Sequence, residues 1–200
     1  MFAAHRGNLV QVQAWIEDGR VDIDAQDILE QTALSKASME GHLPLVEWLL
    51  EKGAEPNTGR PLHGASRNGH LPVVKHLLEN AAKVNITDPR HYLYTPLHEA
   101  TSKGHLAIVK HLMMQGADLD AADRWNRTPV DLARRRVNTV QANDQEKMQN
   151  SIAVCDYLES MMKLRQCHAL VIHLLSMDLY ARPHGRPLDG EENADSSVSA

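Results

Sequence analysis

The sequence predicts an all-α solenoid, in which pairs of helices stack one on the next through a repeated pattern. Four copies of the pattern each carry a glycine with an alanine four residues before it, a leucine two after it and a valine five after it. The four anchor glycines are Gly7, Gly41, Gly69 and Gly104. Within each copy the apolar residues recur at helical spacing, as at Leu43, Val46 and Leu50. Repeats of this length cannot bury their apolar faces alone, so they are expected to stack.

Each copy predicts two helices. The first is short and starts, in the fourth copy, at Thr95-Pro96, because threonine caps free N–H groups and proline suits the first helical turn. It ends at the anchor glycine, which readily takes the left-handed conformation of a helix stop. The second helix carries the leucine and valine stripe and ends near a glycine or alanine twelve residues after the anchor.

The fourth copy reads Thr-Pro-Leu-His-x-Ala from Thr95, Gly-His-Leu from Gly104 and Gly-Ala-Asp from Gly116, and this pattern resembles the ankyrin repeat. The resemblance covers about residues 1–136 and implies an ankyrin-repeat solenoid with β-hairpin-like loops on one side. The repeats are expected at about residues 1–27, 28–57, 58–88 and 89–123, with the start of a fifth at 124–136.

Two loops between repeats depart from this pattern. The anchor glycines are 34, 28 and 35 residues apart. The loop before Pro61 lacks about five residues of the expected hairpin, whereas the loop before Pro96 is longer by about two. We therefore expect a notch in the row of loops, followed by a protrusion.

The C-terminal third of the chain loses the repeat register. A polar stretch at 137–149 predicts a loop or insertion, and helical spacing over 150–181 predicts helices that cap the stack. The proline-, glycine- and acid-rich segment 182–200 has too few apolar residues to offset the entropy of ordering, so we expect a disordered tail.

Most of the 12 histidines fall in columns of the repeat rather than at the spacings of metal ligands. One column is His42, His70 and His105, a second is His63 and His98, and a third is His76 and His111. The ankyrin resemblance implies that the first two columns hydrogen-bond to loops and tie adjacent copies together. We predict no metal and no cofactor.

The composition argues against several classes of function. A formal charge of −5 argues against nucleic-acid binding, and no apolar run is long enough for membrane insertion. Two cysteines without close spacing suggest a reducing compartment, so we expect a cytoplasmic protein, with the nucleus as an alternative. No motif of a known catalytic site is present, so we predict a non-enzyme, and we expect a monomer.

Large side chains in the loops predict where a partner protein binds. Exposed tyrosine, tryptophan and arginine are the residue types enriched in interface hot spots. The loop candidates are Arg90, Tyr92, Tyr94, Arg124, Trp125 and Arg127. The ankyrin resemblance adds positions on the inner short helices, and the candidates there are Arg67, Glu99 and Lys103.

The leading hypothesis is a non-enzymatic scaffold that binds another protein through its loop tips and its concave helix face. One alternative is a recruiting adaptor of a larger complex, since residues 164–172 resemble the adaptor box of ubiquitin ligases that follows some ankyrin arrays. A further alternative is the regulatory fragment of a multidomain protein.

Overall fold

The computed structural model describes residues 1–140 and 144–180, with side chains up to residue 172. The predicted disordered tail at 182–200 lies outside the described residues. Within them the regular secondary structure is helical, and an isolated antiparallel bridge joins Asp88 and Tyr94. The all-α class and the repeated helix pairs are confirmed.

Four helix pairs and a fifth first helix follow in chain order. The first helices of the repeats, called here the first-helix row, are α1 (Phe2–His5), α3 (Ala33–Glu40), α5 (Pro61–Asn68), α7 (Pro96–Lys103) and α9 (Pro129–Thr139). The second helices are α2 (Leu9–Glu17), α4 (Leu43–Glu51), α6 (Leu71–Glu79) and α8 (Leu106–Met114). A long helix, α10 (Gln145–Tyr180), completes the described chain.

Threonine caps three of the first helices. Thr32, Thr95 and Thr128 each accept a hydrogen bond from the backbone N–H three residues later, and the side chain at that later position bonds back to the threonine N–H. This reciprocal arrangement satisfies two otherwise free donors. The exceptions are α1, whose cap residue Met1 makes no side-chain cap bond, and α5, where Arg60 stands at the cap with a left-handed φ of 64° and no side-chain cap bond.

The core follows the repeat. Each neighbour in the first-helix row packs against the next, and α4, α6 and α8 do the same behind it. The row contributes fully buried leucines at Leu34, Leu62 and Leu97, and the second helices contribute Val46 and Val74. Burying each such side chain stabilises the fold by about 1.5–3 kcal/mol. The apolar stripe predicted from the sequence is therefore the main source of stability in the stack.

Histidines of the first column tie each repeat to the one before it, as the resemblance implied. The Nε2 atom of the histidine lies 2.9–3.0 Å from a backbone carbonyl oxygen two residues before the previous anchor glycine. The pairs are His42 with His5, His70 with Met39, and His105 with Arg67. A Cβ on the anchor glycine would lie 2.5–2.8 Å from the ring. These glycines therefore serve both a left-handed turn and a close approach.

Arg136 makes the last tie. It donates from Nη1 to the carbonyl oxygen of Ser102 at 2.5 Å and from Nε to Ser151 Oγ at 2.9 Å. Its guanidinium packs over Gly104, where a Cβ would lie 3.1 Å from Nε. Arginine thus takes the place that histidine has in the earlier repeats.

The predicted loop at 137–149 is wrong in most of its extent. Without an anchor glycine near residue 137, α9 continues to Thr139, and α10 begins at Gln145. The two C-terminal helices expected within 150–181 are one continuous helix. No glycine or proline lies between Gln145 and Tyr180 to interrupt the helix.

The chain divides into two compact units between Met162 and Lys163. In the first unit, Val154 and Leu158 of α10 are buried in the core, so this part of the helix packs on the repeats. In the second unit, four apolar side chains are 51–63% exposed: Leu164, Leu170, Val171 and Ile172. Capping of the stack by this second part stays a prediction.

Candidate functional site

Three of the loops that precede first helices form closed turns, called here fingers. The first finger spans residues 27–31, the third 88–94 and the fourth 123–127. In the first and fourth, an aspartate Oδ1 accepts hydrogen bonds from the backbone N–H groups two and four residues later. These aspartates are Asp27 and Asp123. Their side chains hold the tip residues in a fixed conformation.

The third finger is the protrusion that the sequence predicted. The Asp88 backbone N–H donates to the Tyr94 carbonyl oxygen, six residues on, and the Asp88 carbonyl oxygen accepts from the Leu93 N–H. In the fourth finger, the Asp123 N–H donates to the Arg127 carbonyl oxygen, only four residues on. The two extra residues bring Tyr92 and Leu93 to the tip, where both have positive φ, 60° and 62°. Left-handed backbone at two non-glycine residues costs about 1–2 kcal/mol each, and neighbouring contacts hold it in place.

The central contact of the site joins the third and fourth fingers. The rings of Tyr92 and Trp125 lie 4.6 Å apart between centroids, and the two side chains are 38% and 52% exposed. The Arg124 backbone N–H donates to the Tyr92 carbonyl oxygen at 2.9 Å, which locks the two fingers together. The guanidinium of Arg127 lies 4.4 Å from the Trp125 ring centroid, and that of Arg124 lies 5.9 Å from Tyr92.

Arg127 is anchored by its own finger. Its guanidinium donates to Asp123 Oδ2 at 2.6–2.7 Å. Burial raises the pKa of the Asp123 carboxyl, but the Arg127 guanidinium and the backbone N–H groups of Arg127 and Trp125 outweigh burial and hold this pKa below its usual value. Arg127 is therefore a half-buried support of Trp125 rather than a free contact residue.

Two sequence-predicted site residues are buried, which corrects their expected exposure. Tyr94 folds under the finger, 8% exposed, and stacks on His98 at 5.2 Å between ring centroids. Its hydroxyl accepts from Arg127 at 3.3 Å. Tyr94 lies inside because its backbone carbonyl and N–H close the finger, which turns the side chain toward the helices.

Glu99 is the second buried candidate, at 2% exposure. Its Oε1 lies 2.7 Å from His91 Nδ1, while its Oε2 is buried without a hydrogen-bond partner. Burial raises the pKa of Glu99, opposed by the charges of His91, Arg67 and Lys103. Glu99 supports the base of the third finger and is not presented to a partner.

Arg60 and Arg90 bridge the notch left by the short second loop. Arg60 pairs with Asp88 at 2.9 Å and reaches the Leu29 carbonyl oxygen at 3.4 Å. Arg90 donates to the same carbonyl oxygen at 2.7 Å and forms an ion pair with Glu30. The first and third fingers are therefore joined directly, although a whole repeat separates them in sequence.

The remaining candidates are exposed. Arg124 and Arg90 lie on the fingers, and Arg67 and Lys103 lie at the ends of α5 and α7. Sequence reasoning missed four exposed residues that share these surfaces, namely Ile28, Leu29, Leu93 and Arg135. Alignment of the finger aspartates would have identified two of them. Ile28 and Leu29 follow Asp27 just as Arg124 and Trp125 follow Asp123.

Models of known families match the repeats along this array. A model described as ankyrin repeats (3 copies) matches residues 1–88, and one described as ankyrin repeats (many copies) matches residues 84–133. The chain belongs to the ankyrin repeat family. Ankyrin repeats are in general modules of protein–protein interaction, and nothing in these comparisons shows catalytic activity.

The ankyrin array is also similar to curated proteins. It is 42% identical over 59 residues to ankyrin repeat domain-containing protein 29 of Danio rerio and 40% identical over 59 residues to the Homo sapiens protein of that name. Each match covers 30% of this chain and 20% of the relative, so the chain matches about a fifth of these proteins.

The described residues contain neither a group of metal ligands nor a helix able to cross a membrane. Through residue 172, three or more histidine, cysteine or acidic side chains nowhere meet in a group able to hold a metal ion. No helix in the described ranges combines the length and apolar character needed to cross a membrane.

Proposed function

We propose that this chain is a non-enzymatic scaffold that binds a partner protein through its third and fourth fingers. The observation that carries the proposal is the exposed Tyr92–Trp125 ring pair, set on two adjacent fingers. Exposed aromatic rings are costly in water unless something covers them, and tyrosine and tryptophan are frequent interface hot spots.

The pair is held ready for binding before a partner arrives. The Asp123 turn, the Arg124–Tyr92 backbone bond and the Arg127–Trp125 contact fix both rings. A preformed surface loses little conformational freedom on binding, so more of the contact energy appears as affinity.

The same geometry narrows the set of contact residues. Arg90, Tyr92, Leu93, Arg124 and Trp125 are open to a partner. These contact residues are held in position by Tyr94, Glu99 and Arg127, which do not themselves face a partner. The apolar tip of the first finger, Ile28 and Leu29, extends the surface across the bridged notch.

Affinity capture with the purified chain tests the proposal. The variant Tyr92→Ala/Trp125→Ala removes the ring pair, and Phe2→Ala/Met114→Ala removes two exposed apolar side chains elsewhere. A protein captured by wild type is then purified and titrated. We expect the ring variant to weaken its binding at least 30-fold, about 2 kcal/mol, and the control to bind like wild type. Equal binding by all three proteins would refute the proposal.

A second candidate function is that of an adaptor with two binding surfaces. The exposed apolar side chains of α10 at Leu164, Leu170, Val171 and Ile172 favour it. Leu170→Ser/Ile172→Ser should then lose a set of captured proteins different from the set lost by the ring variant. An unchanged set would exclude the adaptor function.

A further inference from the structure

The arginines of the fingers and of the short second loop differ in how their charge is balanced. Most of them form an ion pair with an acid of the same surface. These pairs are Arg60 with Asp88, Arg90 with Glu30, and Arg127 with Asp123. Arg124 is exposed on the fourth finger, and among the side chains that the structure describes it forms no ion pair.

The acid next to Arg124 in the sequence, Asp123, is fully occupied by other groups. Its Oδ1 accepts from the backbone N–H groups of Trp125 and Arg127, at 2.8 and 2.9 Å. Its Oδ2 accepts from the Arg127 guanidinium, and the side chain has no exposed surface. The turn that displays Arg124 therefore does not cancel its charge.

Arg124 stands beside the exposed ring pair. Its guanidinium carbon lies 5.9 Å from the centroid of the Tyr92 ring, which is itself 4.6 Å from the Trp125 ring at an interplanar angle of 42°. The Arg124 backbone N–H bonds to the Tyr92 carbonyl oxygen at 2.9 Å, so the cation and the rings stay together. The distance from cation to ring is shorter than the roughly 7 Å that two residues of an extended chain span.

These positions define the chemistry that fits the site. Arg127 lies 4.4 Å from the Trp125 ring centroid and Arg124 lies beside Tyr92, so a partner lysine or arginine would meet charge of its own sign. Nucleic acid is a poor match, because its phosphates bind to several cations together. A carboxylate next to an apolar side chain fits, since the carboxylate can pair with Arg124 while the apolar group covers the rings.

We propose that the Tyr92–Trp125 site binds a segment of the partner protein in which an acidic residue adjoins an apolar one, with its carboxylate on Arg124. The inference rests on the proposed function, since it names the chemistry of the segment that covers the ring pair. The rings supply most of the contact area, and Arg124 selects among partners by charge.

An NMR titration of the full chain with capped dipeptides tests the proposal. The acidic probes are acetyl-Asp-Trp-amide and acetyl-Trp-Asp-amide, and matched probes carry asparagine or lysine in place of aspartate. The indole N–H signal of Trp125, assigned by its loss in Trp125→Phe, reports binding at the site, and the signals of Trp15 and Trp48 report binding elsewhere. We expect the better acidic probe to bind about threefold more tightly than its asparagine counterpart and the lysine probes to bind most weakly. The acidic advantage should shrink as salt is raised.

Charge variants at one position assign this advantage to Arg124. We expect Arg124→Gln to abolish it, Arg124→Lys to retain part of it, and Arg124→Glu to favour the lysine probes. Lys110→Gln is the matched control, because Lys110 is also an exposed cation beside a tyrosine ring, with its Nζ 5.6 Å from the Tyr157 centroid. The asparagine probes should bind wild type and Arg124→Gln within about twofold, which shows that the rings remain in place.

Several outcomes overturn the inference. The carboxylate contributes nothing if the acidic and asparagine probes bind equally, or if no acidic probe moves the Trp125 signal. An acidic preference that persists in Arg124→Gln, or that moves the Trp15 and Trp48 signals equally, places the contact elsewhere. A preference of wild type for the lysine probes assigns the rings to a cationic partner.

The protein captured through the ring pair separates this inference from the proposed function. We expect Arg124→Glu to weaken its binding at least tenfold, because the acidic segment would then face a carboxylate. If its binding still requires Tyr92 and Trp125 but is the same for Arg124→Glu and wild type, the proposed function stands and the acidic segment is wrong.

Discussion

The guanidinium of Arg136 donates a hydrogen bond to the backbone carbonyl of Ser102 at 2.5 Å. Ser102 lies two residues before Gly104, the same offset at which a histidine ring meets each earlier repeat. An arginine reaching from α9 therefore completes a series of ties that begins at His42. The substitution suits the longer α9, in which no glycine ends the helix early.

Replacing Arg136 with alanine should destabilise the last repeat. The change leaves the Ser102 carbonyl and Ser151 hydroxyl without a charged donor, and such bonds contribute about 1.5–3 kcal/mol. We expect the free energy of unfolding in urea to fall by about 2 kcal/mol. Arg135→Ala, an exposed neighbour, is the control and should change it by less than about 0.5 kcal/mol. Equal effects of the two would show that the tie contributes nothing.

Alanine substitutions at two glycines should measure the cost of backbone strain separately from the cost of close packing. Gly41 and Gly53 both have positive φ, 78° and 90°, but a Cβ on Gly41 would lie 2.5 Å from His70 Nδ1, and one on Gly53 would meet nothing within 4 Å. Gly53→Ala should cost about 1 kcal/mol and Gly41→Ala about 2–4 kcal/mol. Thermal unfolding of the two variants measures the difference. Similar values would mean that the histidine ring moves aside freely.

Loss of Arg90 should loosen the first finger rather than the third. Arg90 donates to the Leu29 carbonyl oxygen and pairs with Glu30, so Arg90→Ala removes the support across the notch. We expect the amides of residues 29–31 to exchange hydrogen about five- to tenfold faster, consistent with about 1 kcal/mol of local stability. Lys83→Ala is the control. Unchanged exchange at these amides would show that the first finger is held by Asp27 alone.

Stability should fall on acidification because of His63. Burial lowers the pKa of His63 from 6.5 to about 4, so the unfolded chain binds a proton more readily than the folded one between these values. The contribution of His63 is constant above pH 6.5 and falls toward pH 4, by up to about 3 kcal/mol in total. Urea unfolding between pH 4.5 and 7.5 should therefore show a shallower pH dependence for His63→Gln.

Other groups also titrate in the wild-type protein and contribute to the pH dependence of its stability. They titrate in His63→Gln as well, so the difference between the two proteins isolates His63. Burial lowers the pKa of His98, which acts in the same direction as His63. Burial raises the pKa of Glu99, so its contribution is lost as pH rises and opposes the histidines. Parallel curves for wild type and His63→Gln would show that His63 is not buried in neutral form.

The caps explain why His63 differs from its counterpart in the next repeat. His98 Nδ1 lies 2.9 Å from the hydroxyl of Thr95, the cap residue of α7. The corresponding cap of α5 is Arg60, which offers no hydroxyl, and His63 Nδ1 is buried without a partner. The short second loop thus lacks a helix cap but gains the Arg60–Asp88 ion pair with the third finger.

Much of this arrangement was predictable from the sequence, because it follows local chemistry. The anchor glycines, threonine caps and apolar stripes determine helix pairs within a single repeat, and the lengths of the loops indicated the notch and the protrusion. The histidines of the first column also form the contacts between repeats that the resemblance implied.

The rest depends on contacts between residues far apart in the chain. Arg90 and Leu29 are separated by 61 residues, so no local pattern reveals that they meet. Tyr94 and Glu99 were predicted to be exposed because large and charged residues near loops often are, whereas the fold of the third finger buries both.

The ties between repeats and the fingers lie at opposite ends of the first helices. Ties form where these helices end, near Gly41, Gly69 and Gly104, and fingers precede the residues where they begin. Shortening the second loop has accordingly left the ties on either side of it intact. Loop length can therefore change without breaking the ties between repeats, although the short second loop has left α5 without a threonine cap. Insertions or deletions in the loops would alter the binding surface while the helical stack keeps its ties.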